Sequence, residues 1–311
     1  MGKEEFSYCS FRSGTVIHTG ALISAENIMT VRPKIARFAI LFSLGIGPLA
    51  HAQSEPDVEA ANRPLWEVGI AGFGVKSPAY PGAAEAVGRG LVLPWFVYRG
   101  PVLRADGGTV GARLMKSQTV ELDVGFGGAL RASSNDVKVR QGMPDLGYQF
   151  ELGPRARITL ARPSADAIVR LNLPLRGVFE ANGGIKQRGF AFEPSLSYAD
   201  LNVGGGWGMT ASAGVIIGDQ KLSQFYYGVP SQFATPARPA FTAKSGLITP
   251  SVQLSLLYRA TNDVRVFGFV RADFPGNGVN RDSPLHLRDN GTAFGIGAVW
   301  TFGRSSEMAV N

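Results

Sequence analysis

Hydrophobic and polar residues alternate with a period of two along most of the chain beyond residue 64. In the stretch ELDVGFGGAL, Leu122, Val124 and Phe126 would share one face of a strand. Glu121 and Asp123 would share the opposite face. Such alternation is typical of half-buried β-strands. It recurs, with one apolar and one polar face, at 146–160, 167–179, 187–198, 251–258 and 291–302.

Twelve strands follow from this pattern, and ten is the alternative, because the third and fourth strands are short. The predicted bounds are 65–75, 89–99, 101–106, 109–115, 119–131, 146–160, 167–180, 187–199, 205–217, 247–260, 263–274 and 291–302. Short and long connections tend to alternate, and the long ones lie at 76–88, 132–145, 218–246 and 275–290. Outer-membrane β-barrels show this asymmetry between periplasmic turns and extracellular loops.

The length and polarity of these segments favour a membrane barrel over a soluble β-sandwich, whose strands also alternate. Most segments run for about 10 to 14 residues, which is enough for a tilted strand to cross a bilayer. Aromatic residues such as Trp66, Trp207 and Trp300 fall at segment ends, where interfacial girdles lie. The sequence therefore predicts an all-β fold, a transmembrane antiparallel up-and-down β-barrel with short periplasmic turns and long extracellular loops.

A secretory signal peptide is predicted at residues 29–52, with a basic start, an apolar core and the small residues Ala50 and Ala52 before the cleavage site. Because a signal peptide begins at the N-terminus of a protein, we expect residues 1–28 to be a mis-called start rather than a domain. The alternative is that residues 1–28 are a genuine N-terminal extension that weakens the signal peptide. The remaining boundaries place a periplasmic lead at 53–64, the barrel at 65–303 and a C-terminal tail at 304–311.

Charged residues on the polar strand faces are the main candidate site, because they would point into the lumen of a barrel. One interpretation is a salt-bridged interior that holds a narrow barrel together, and the other is a selective pore lined by arginine. The aromatic loop 218–246 could fold in as a plug, or stay outside as a surface that contacts lipopolysaccharide or a partner. The candidate lumen-facing charges are Glu121, Asp123, Glu151, Arg155, Arg157, Arg170, Arg176, Glu193, Arg265, Arg271 and Asp273.

Catalytic and metal-binding chemistry finds little support in the sequence. After signal cleavage one histidine remains, His286, with Asp282, Ser283 and Asp289 nearby. An external active site is one interpretation, and a solvated loop histidine is the favoured one. The only cysteine, Cys9, precedes the cleavage site, and no His, Cys or acidic cluster has metal-ligand spacing, so no catalytic residue, metal or cofactor is predicted. The net charge of +7 is scattered, so nucleic acid is not an expected partner.

Five short motifs resemble the MipA/OmpV family of outer-membrane proteins, over about residues 64–302. They are AYPG at 79–82, LPWFVYRG at 93–100, QGMPDLGYQFELGP at 141–154, YYGV at 226–229 and GIGAVWTFG at 295–303. The resemblance implies an outer-membrane β-barrel. It also implies that Gly297, Trp300 and Phe302 form the barrel-assembly signal, although Gly295 replaces the usual polar residue and a tail follows Phe302.

Some members of this family are scaffolds that bring a murein-degrading lytic transglycosylase together with a bifunctional penicillin-binding protein. The resemblance therefore implies a non-enzymatic outer-membrane protein with a scaffold or envelope-maintenance role in a Gram-negative cell. Outer-membrane lipid, lipopolysaccharide and those two enzymes are the expected partners. A narrow channel for small solutes is the alternative function, and a lipid-modifying enzyme is a third.

Overall fold

The fold is given by a computed structural model that describes residues 63–100, 103–106, 109–129 and 131–309. The described strands are β1 (Trp66–Pro78), β2 (Ala86–Arg99), β3 (Leu103–Asp106), β4 (Thr109–Lys116), β5 (Val120–Ala129), β6 (Tyr148–Ala161), β7 (Ala167–Ala181), β8 (Ile185–Phe192), β9 (Ser195–Gly204), β10 (Trp207–Gly218), β11 (Gly246–Arg259), β12 (Val264–Asp273) and β13 (Gly291–Arg304). An α-helix, α1, spans Gln220–Tyr227, and 3-10 helices span Lys138–Arg140, Ser231–Phe233 and Pro275–Asn277. The predicted signal peptide with Ala50 and Ala52, the mis-called start and the lead before Arg63 lie outside the described residues.

The strands form one closed antiparallel ring. Apart from β8 and β9, consecutive strands pair with each other, and β1 pairs with β13 from Glu67 to Lys76, so that the first and last strands are neighbours. The strands β8 and β9 share a single place, because both lie between β7 and β10. The ring therefore has twelve places, and the prediction of twelve strands rather than ten is confirmed.

The interruption between β8 and β9 differs from the predicted strand. Alternation predicted one strand at 187–199 followed by a turn at 200–204. The structure instead breaks the strand at Glu193 and Pro194 and continues β9 through the predicted turn. Proline has no backbone N–H and cannot donate to the ladder of a sheet. Pro94, Pro154 and Pro174 nevertheless lie inside continuous strands, so Pro194 alone does not account for the break that sequence reasoning missed.

The two faces of the ring differ in polarity. On β5, Glu121 and Asp123 are buried, whereas Leu122 and Val124 on the other face are partly exposed. Because the buried face of a closed sheet is its interior, the charged residues of β5 point inward and the aliphatic residues face lipid. Exposed apolar side chains of the outer face include Ile70, Val92, Leu152, Leu196, Leu254, Ile296, Trp300 and Phe302.

The ring closes tightly at the seam between β1 and β13. A Cβ at Gly69 would lie 2.2 Å from the carbonyl oxygen of Trp300, so glycine is required where the two strands approach. Below the seam, Pro64 forms an isolated bridge with Met308. The start of the predicted C-terminal tail therefore continues the pairing of β1 with β13.

Four long connections fold together at the extracellular end of the ring. Within them Tyr80, Leu146, Tyr227 and Leu285 are at most 3% exposed and belong to one buried cluster. Tyr227 donates a hydrogen bond to the carbonyl of Pro81, and Tyr80 donates one to the carbonyl of Leu285. The connections therefore form one packed unit, called the cap here, made of residues 79–85, 131–147, 219–245 and 274–290.

Candidate functional site

The inward charges of β5 and β6 form ion pairs across neighbouring strands. Asp123 lies directly opposite Arg155 in the sheet, and Glu121 lies opposite Arg157. Arg155 donates to both carboxylate oxygens of Asp123, at 3.0 Å from Nε and 2.9 Å from Nη2. Arg157 lies 2.9 Å from Asp123 and 2.9 Å from Glu121. Strand register therefore places each cation against an acid.

Arg176 of β7 continues this network onto a third strand. Its Nη1 lies 2.9 Å from Glu151 of β6 and 3.3 Å from Glu193, in the break between β8 and β9. A Cβ at Gly127 would lie 3.2 Å from Nη1 of Arg176, so the glycine of β5 leaves room for the pair. Arg170 lies on the same face of β7 and is partly buried. The charge ladder is the group Glu121, Asp123, Glu151, Arg155, Arg157, Arg176 and Glu193.

The other predicted charges lie outside the charge ladder. Arg265 of β12 lies 2.8 Å from Glu67 of β1, and its guanidinium stands 4.9 Å from the centre of the Trp95 ring. Arg271 lies 2.8 Å from Asp273 on the same strand. The structure therefore brings most of the predicted residues together and holds Arg265 and the pair of Arg271 with Asp273 apart from them.

Sequence reasoning missed several charged residues that the structure buries. Arg99 is 3% exposed and lies 2.9 Å from Glu67. Glu180 is 1% exposed, pairs with Arg188 and accepts a hydrogen bond from the N–H of Gly147 at 2.7 Å. The alternation that identified the charge ladder would also have found Glu67, because apolar residues flank it.

The wall across from the charge ladder carries an apolar patch on its inner face. Phe73 of β1 and Phe267 and Phe269 of β12 are 5% to 8% exposed, and Leu91 and Trp95 of β2 pack against them. On a ring of twelve places, β13 and β1 lie across from β5, β6 and β7. We call this inner surface the apolar wall. The interior therefore has a charged side and, across from it, an apolar patch that shares the inner faces of β1 and β12 with two ion pairs, Arg265 with Glu67 and Arg271 with Asp273.

The cap packs onto the inner surface of the ring. Its buried cluster includes Val87 of β2, Val178 of β7 and Ile248 of β11, which come from different sides of the ring. Tyr226 of α1 donates its hydroxyl hydrogen to the side chain of Gln149 on β6. Burial raises the pKa of the Tyr226 phenol above its usual value. Of the two roles considered for loop 218–246, this position in the mouth of the ring favours the plug.

Two buried arginines tie separate loops of the cap together. Arg238 donates to the carbonyl of Val139 at 2.6 Å and to that of Gln141 at 3.0 Å. Arg140 donates to the carbonyl of Tyr226 at 3.2 Å, and burial lowers the pKa of its guanidinium. Charge-assisted hydrogen bonds of this kind are stronger than neutral ones. The loops 131–147 and 219–245 are therefore linked by directional bonds as well as by apolar packing.

The histidine candidate is not part of a hydrolytic triad. The imidazole of His286 is 6% exposed and packs against Gly82, where a Cβ would lie 2.6 Å from Nδ1, so the interpretation as a solvated histidine is wrong. Its Nε2 lies 3.0 Å from Asp289. Ser283 donates its hydroxyl hydrogen to the carbonyl of Tyr227 at 2.7 Å. A nucleophile must instead bond to its base, and Ser283 is engaged elsewhere.

Metal-ligand geometry and helical membrane spans were sought across the described chain. Among the described residues, no group of three or more His, Cys, Asp or Glu side chains is arranged to hold a metal ion. In the same part of the chain, no helix has the length and apolarity needed to cross a membrane. Of the residues proposed for the barrel-assembly signal, Trp300 and Phe302 are exposed on the outer face, and Gly297 lies where a Cβ would be 2.5 Å from the Phe267 ring.

Several solved outer-membrane proteins are similar to this chain. The NanC porin has a TM-score of 0.37 and 8% identity, with 74% of this chain and 98% of that chain covered. A FadL homologue from Pseudomonas aeruginosa has a TM-score of 0.34 and 11% identity, with 84% and 100% covered. Outer membrane phospholipase A from Escherichia coli has a TM-score of 0.33 and 12% identity, with 75% and 92% covered. No match was found among the curated proteins.

The family comparison covers the ring almost completely. The family model described as MltA-interacting protein MipA matches residues 68–302, which is more than half of the 311 residues. The matched range contains the charge ladder, the apolar wall and the cap. The resemblance predicted from the short motifs is therefore confirmed, as is the expected location in the outer membrane. This chain belongs to the MipA family of outer-membrane proteins.

Proposed function

We propose that the protein is a non-enzymatic scaffold that holds murein-degrading and murein-synthesising enzymes at the periplasmic face of the outer membrane. The observation that carries this proposal is a ring whose mouth is covered by the cap and whose inward charges in the charge ladder are held in ion pairs. A barrel whose mouth is covered still offers its outer surfaces to a protein partner. The description of the matching family, an MltA-interacting protein, supports a protein partner. A lytic transglycosylase and a penicillin-binding protein are the partners that the family resemblance implies.

The alternative function, a narrow solute channel, has less support from this interior. A pore lined by arginine needs guanidinium groups that can meet a passing anion. The side chains of Arg155 and Arg176 are 11% and 6% exposed, and both are held by acidic residues. An incoming anion would have to displace a paired carboxylate, and it would first have to pass the cap.

The periplasmic face offers exposed turns to a protein partner. The turns at 117–119 and 161–166 border a shallow depression of about 510 Å³. Leu160 at its edge is 55% exposed, and Arg162 is exposed beside it. An apolar side chain next to a cation is a combination that protein interfaces use. We therefore place the binding surface for the murein enzymes at this depression.

Binding to a purified lytic transglycosylase tests the proposal. With the mature barrel in lipid nanodiscs, we expect saturable binding with a dissociation constant on the order of 1 µM, as for a transient complex. Arg162→Glu should weaken binding about tenfold, because it reverses the charge at the depression. Surface plasmon resonance measures both values. A penicillin-binding protein added second should bind without displacing the first enzyme.

Arg281→Glu is the matched control, because Arg281 is 68% exposed but lies in the extracellular cap. It should leave binding unchanged. If the barrel binds neither enzyme better than empty nanodiscs do, the scaffold role is wrong.

A further inference from the structure

The hairpin formed by β3 and β4 is too short to complete the wall of the ring. β3 has 4 residues and β4 has 8, whereas β2 and β5 on either side of them have 14 and 10. A strand needs about 9 to 11 residues to cross a bilayer. The hairpin therefore fills only the periplasmic part of the wall between β2 and β5.

The strand pairing shows the same gap from both sides. β2 pairs with β1 from Ala86 to Tyr98, but it pairs with β3 only at Tyr98 and Arg99. β5 pairs with β4 only from Glu121 to Asp123. Among the described residues, the rest of β2 therefore has no strand partner on its β3 side. We call this gap, above the hairpin and beside residues 86–97, the notch.

The position of the notch in the wall determines which molecules can reach it. In hydrocarbon, unpaired backbone N–H and C=O groups are costly and an acyl chain cannot pair with them, so an open strand edge there must meet polar groups, such as a lipid head group or water. The notch lies toward the cap, because β2 starts at Ala86 on the extracellular side and meets β3 only at its periplasmic end. The molecules that meet this edge from outside are therefore lipids of the outer leaflet.

The inner face of β2 beside the notch is apolar and only partly covered. Leu91 lies opposite Phe73, and Leu93 lies opposite Ala71, so both point inward. Phe73 and Ala71 are each 8% exposed, whereas Leu91, Leu93 and Trp95 remain partly exposed. Inward side chains that are partly exposed must lie next to space that solvent can reach. The notch therefore opens onto the uncovered part of the apolar wall.

A single cation, Arg89, lies at the extracellular end of this inner surface of β2. Arg89 lies opposite Val75, and its side chain is exposed. Its hydrogen bond is a long one, 3.4 Å, to the carbonyl of the adjacent Gly88. Among the described residues it has no acidic partner, unlike the arginines of the charge ladder. An exposed guanidinium that has no acidic partner in the described part of the chain, near the outer boundary of the membrane, suits a carboxylate or a phosphate.

We propose that the notch binds an anionic amphiphile from the outer leaflet. Its carboxylate or phosphate pairs with Arg89, and its acyl chain passes through the notch to lie against Leu91, Leu93 and Trp95. Charge, apolar surface and access from lipid meet at this one place on the described chain. The site opens sideways into the membrane and needs no path through the charge ladder. It is independent of the scaffold role at the periplasmic face.

Quenching of Trp95 by brominated acyl chains tests the proposal. In the triple variant Trp66→Phe, Trp207→Phe, Trp300→Phe, the remaining tryptophan is Trp95, on the inner face of β2. The folded variant is placed in phosphatidylcholine vesicles and titrated with dibromostearate, with a brominated lysophosphatidic acid, or with brominated stearyl alcohol. We expect saturable quenching by at least one anionic probe, and the probe that acts at the lower concentration distinguishes a fatty acid from a phosphate lipid.

Arg89→Gln in the same background should raise the half-saturating concentration of the anionic probe about tenfold, the effect of one charge-assisted hydrogen bond. It should not change the response to the alcohol. Arg281→Gln is the matched control in an exposed cap loop and should have no effect. A variant that keeps only Trp300, which is 55% exposed on the outer face, reports quenching from the bulk lipid.

Quenching of Trp300 without quenching of Trp95 would overturn the proposal. So would saturable quenching of Trp95 that Arg89→Gln leaves unchanged. A stable dimer in native mass spectrometry, with Trp95 shielded from every probe, would also overturn it and would assign the strand edge to a second copy of the chain.

Discussion

Asp123→Ala is expected to lower the free energy of unfolding by about 3 to 5 kcal/mol, the range seen when one partner of a buried ion pair is removed. Asp123 holds two arginines, Arg155 through both carboxylate oxygens and Arg157 through one. Its side chain is 5% exposed, so solvent cannot replace the lost acid. Arg155 and Arg157 would remain buried, and less favourable electrostatic interaction would offset the free-energy cost of their desolvation. Urea unfolding in lipid vesicles, followed by tryptophan fluorescence, measures the difference.

Two control substitutions test whether the loss of stability comes from the buried ion pair or from the loss of an acidic residue at any position. Asp123→Asn keeps the shape and removes the charge, so it should also destabilise the barrel substantially. Asp263→Ala removes the acid that pairs with Arg304, where the side chains are 56% and 41% exposed, and should cost less than about 1 kcal/mol. If Asp123→Ala costs no more than Asp263→Ala, the charge ladder does not stabilise the barrel.

Tyr227→Ala is expected to release the cap while the ring stays folded. The Tyr227 side chain packs edge-on against Tyr80, and its hydroxyl donates to Pro81. Its own carbonyl accepts from Ser283, so Tyr227 joins three of the four cap loops. Truncating a buried aromatic residue lowers the free energy of unfolding by about 3 to 5 kcal/mol. Here the cap would lose this stability, and it can open without unfolding of the ring. Trypsin should then cleave the cap at least tenfold faster, at sites such as Lys244.

Tyr227→Phe is the matched control for this result. It removes one hydrogen bond, worth about 1 kcal/mol, and keeps the packing, so cleavage should rise much less. The folded ring is followed by its heat-dependent mobility in gel electrophoresis, which should stay unchanged in both variants. Trypsin cleavage of Tyr227→Ala at the rate of the unmodified protein would show that the cap is not held by this residue.

Local alternation was enough to predict the ring. Which residues of β5, β6 and β7 point inward follows from their order along each strand, because adjacent residues of a strand point to opposite sides. The same rule identified the acids and arginines that became the charge ladder. Pairing between them required only that consecutive strands be neighbours, which is the commonest arrangement.

Features that depend on distant contacts could not be predicted in this way. The inward position of Phe267 and Phe269 makes sense only because Phe73 of the first strand closes the ring beside them. The cap unites Tyr80, Tyr227 and Leu285, which are far apart in the sequence. The burial of His286 depends on Gly82 for the same reason. Alternation carries no information on which loops meet.

Single-channel conductance of the mature chain in planar bilayers tests the closed interior most directly. We expect a correctly folded ring without steady conductance, because the cap covers the mouth and acidic partners hold the arginines of the charge ladder. Steady conductance that changes with Arg155→Ala or Arg170→Ala would contradict a closed interior and would make a solute channel the better description.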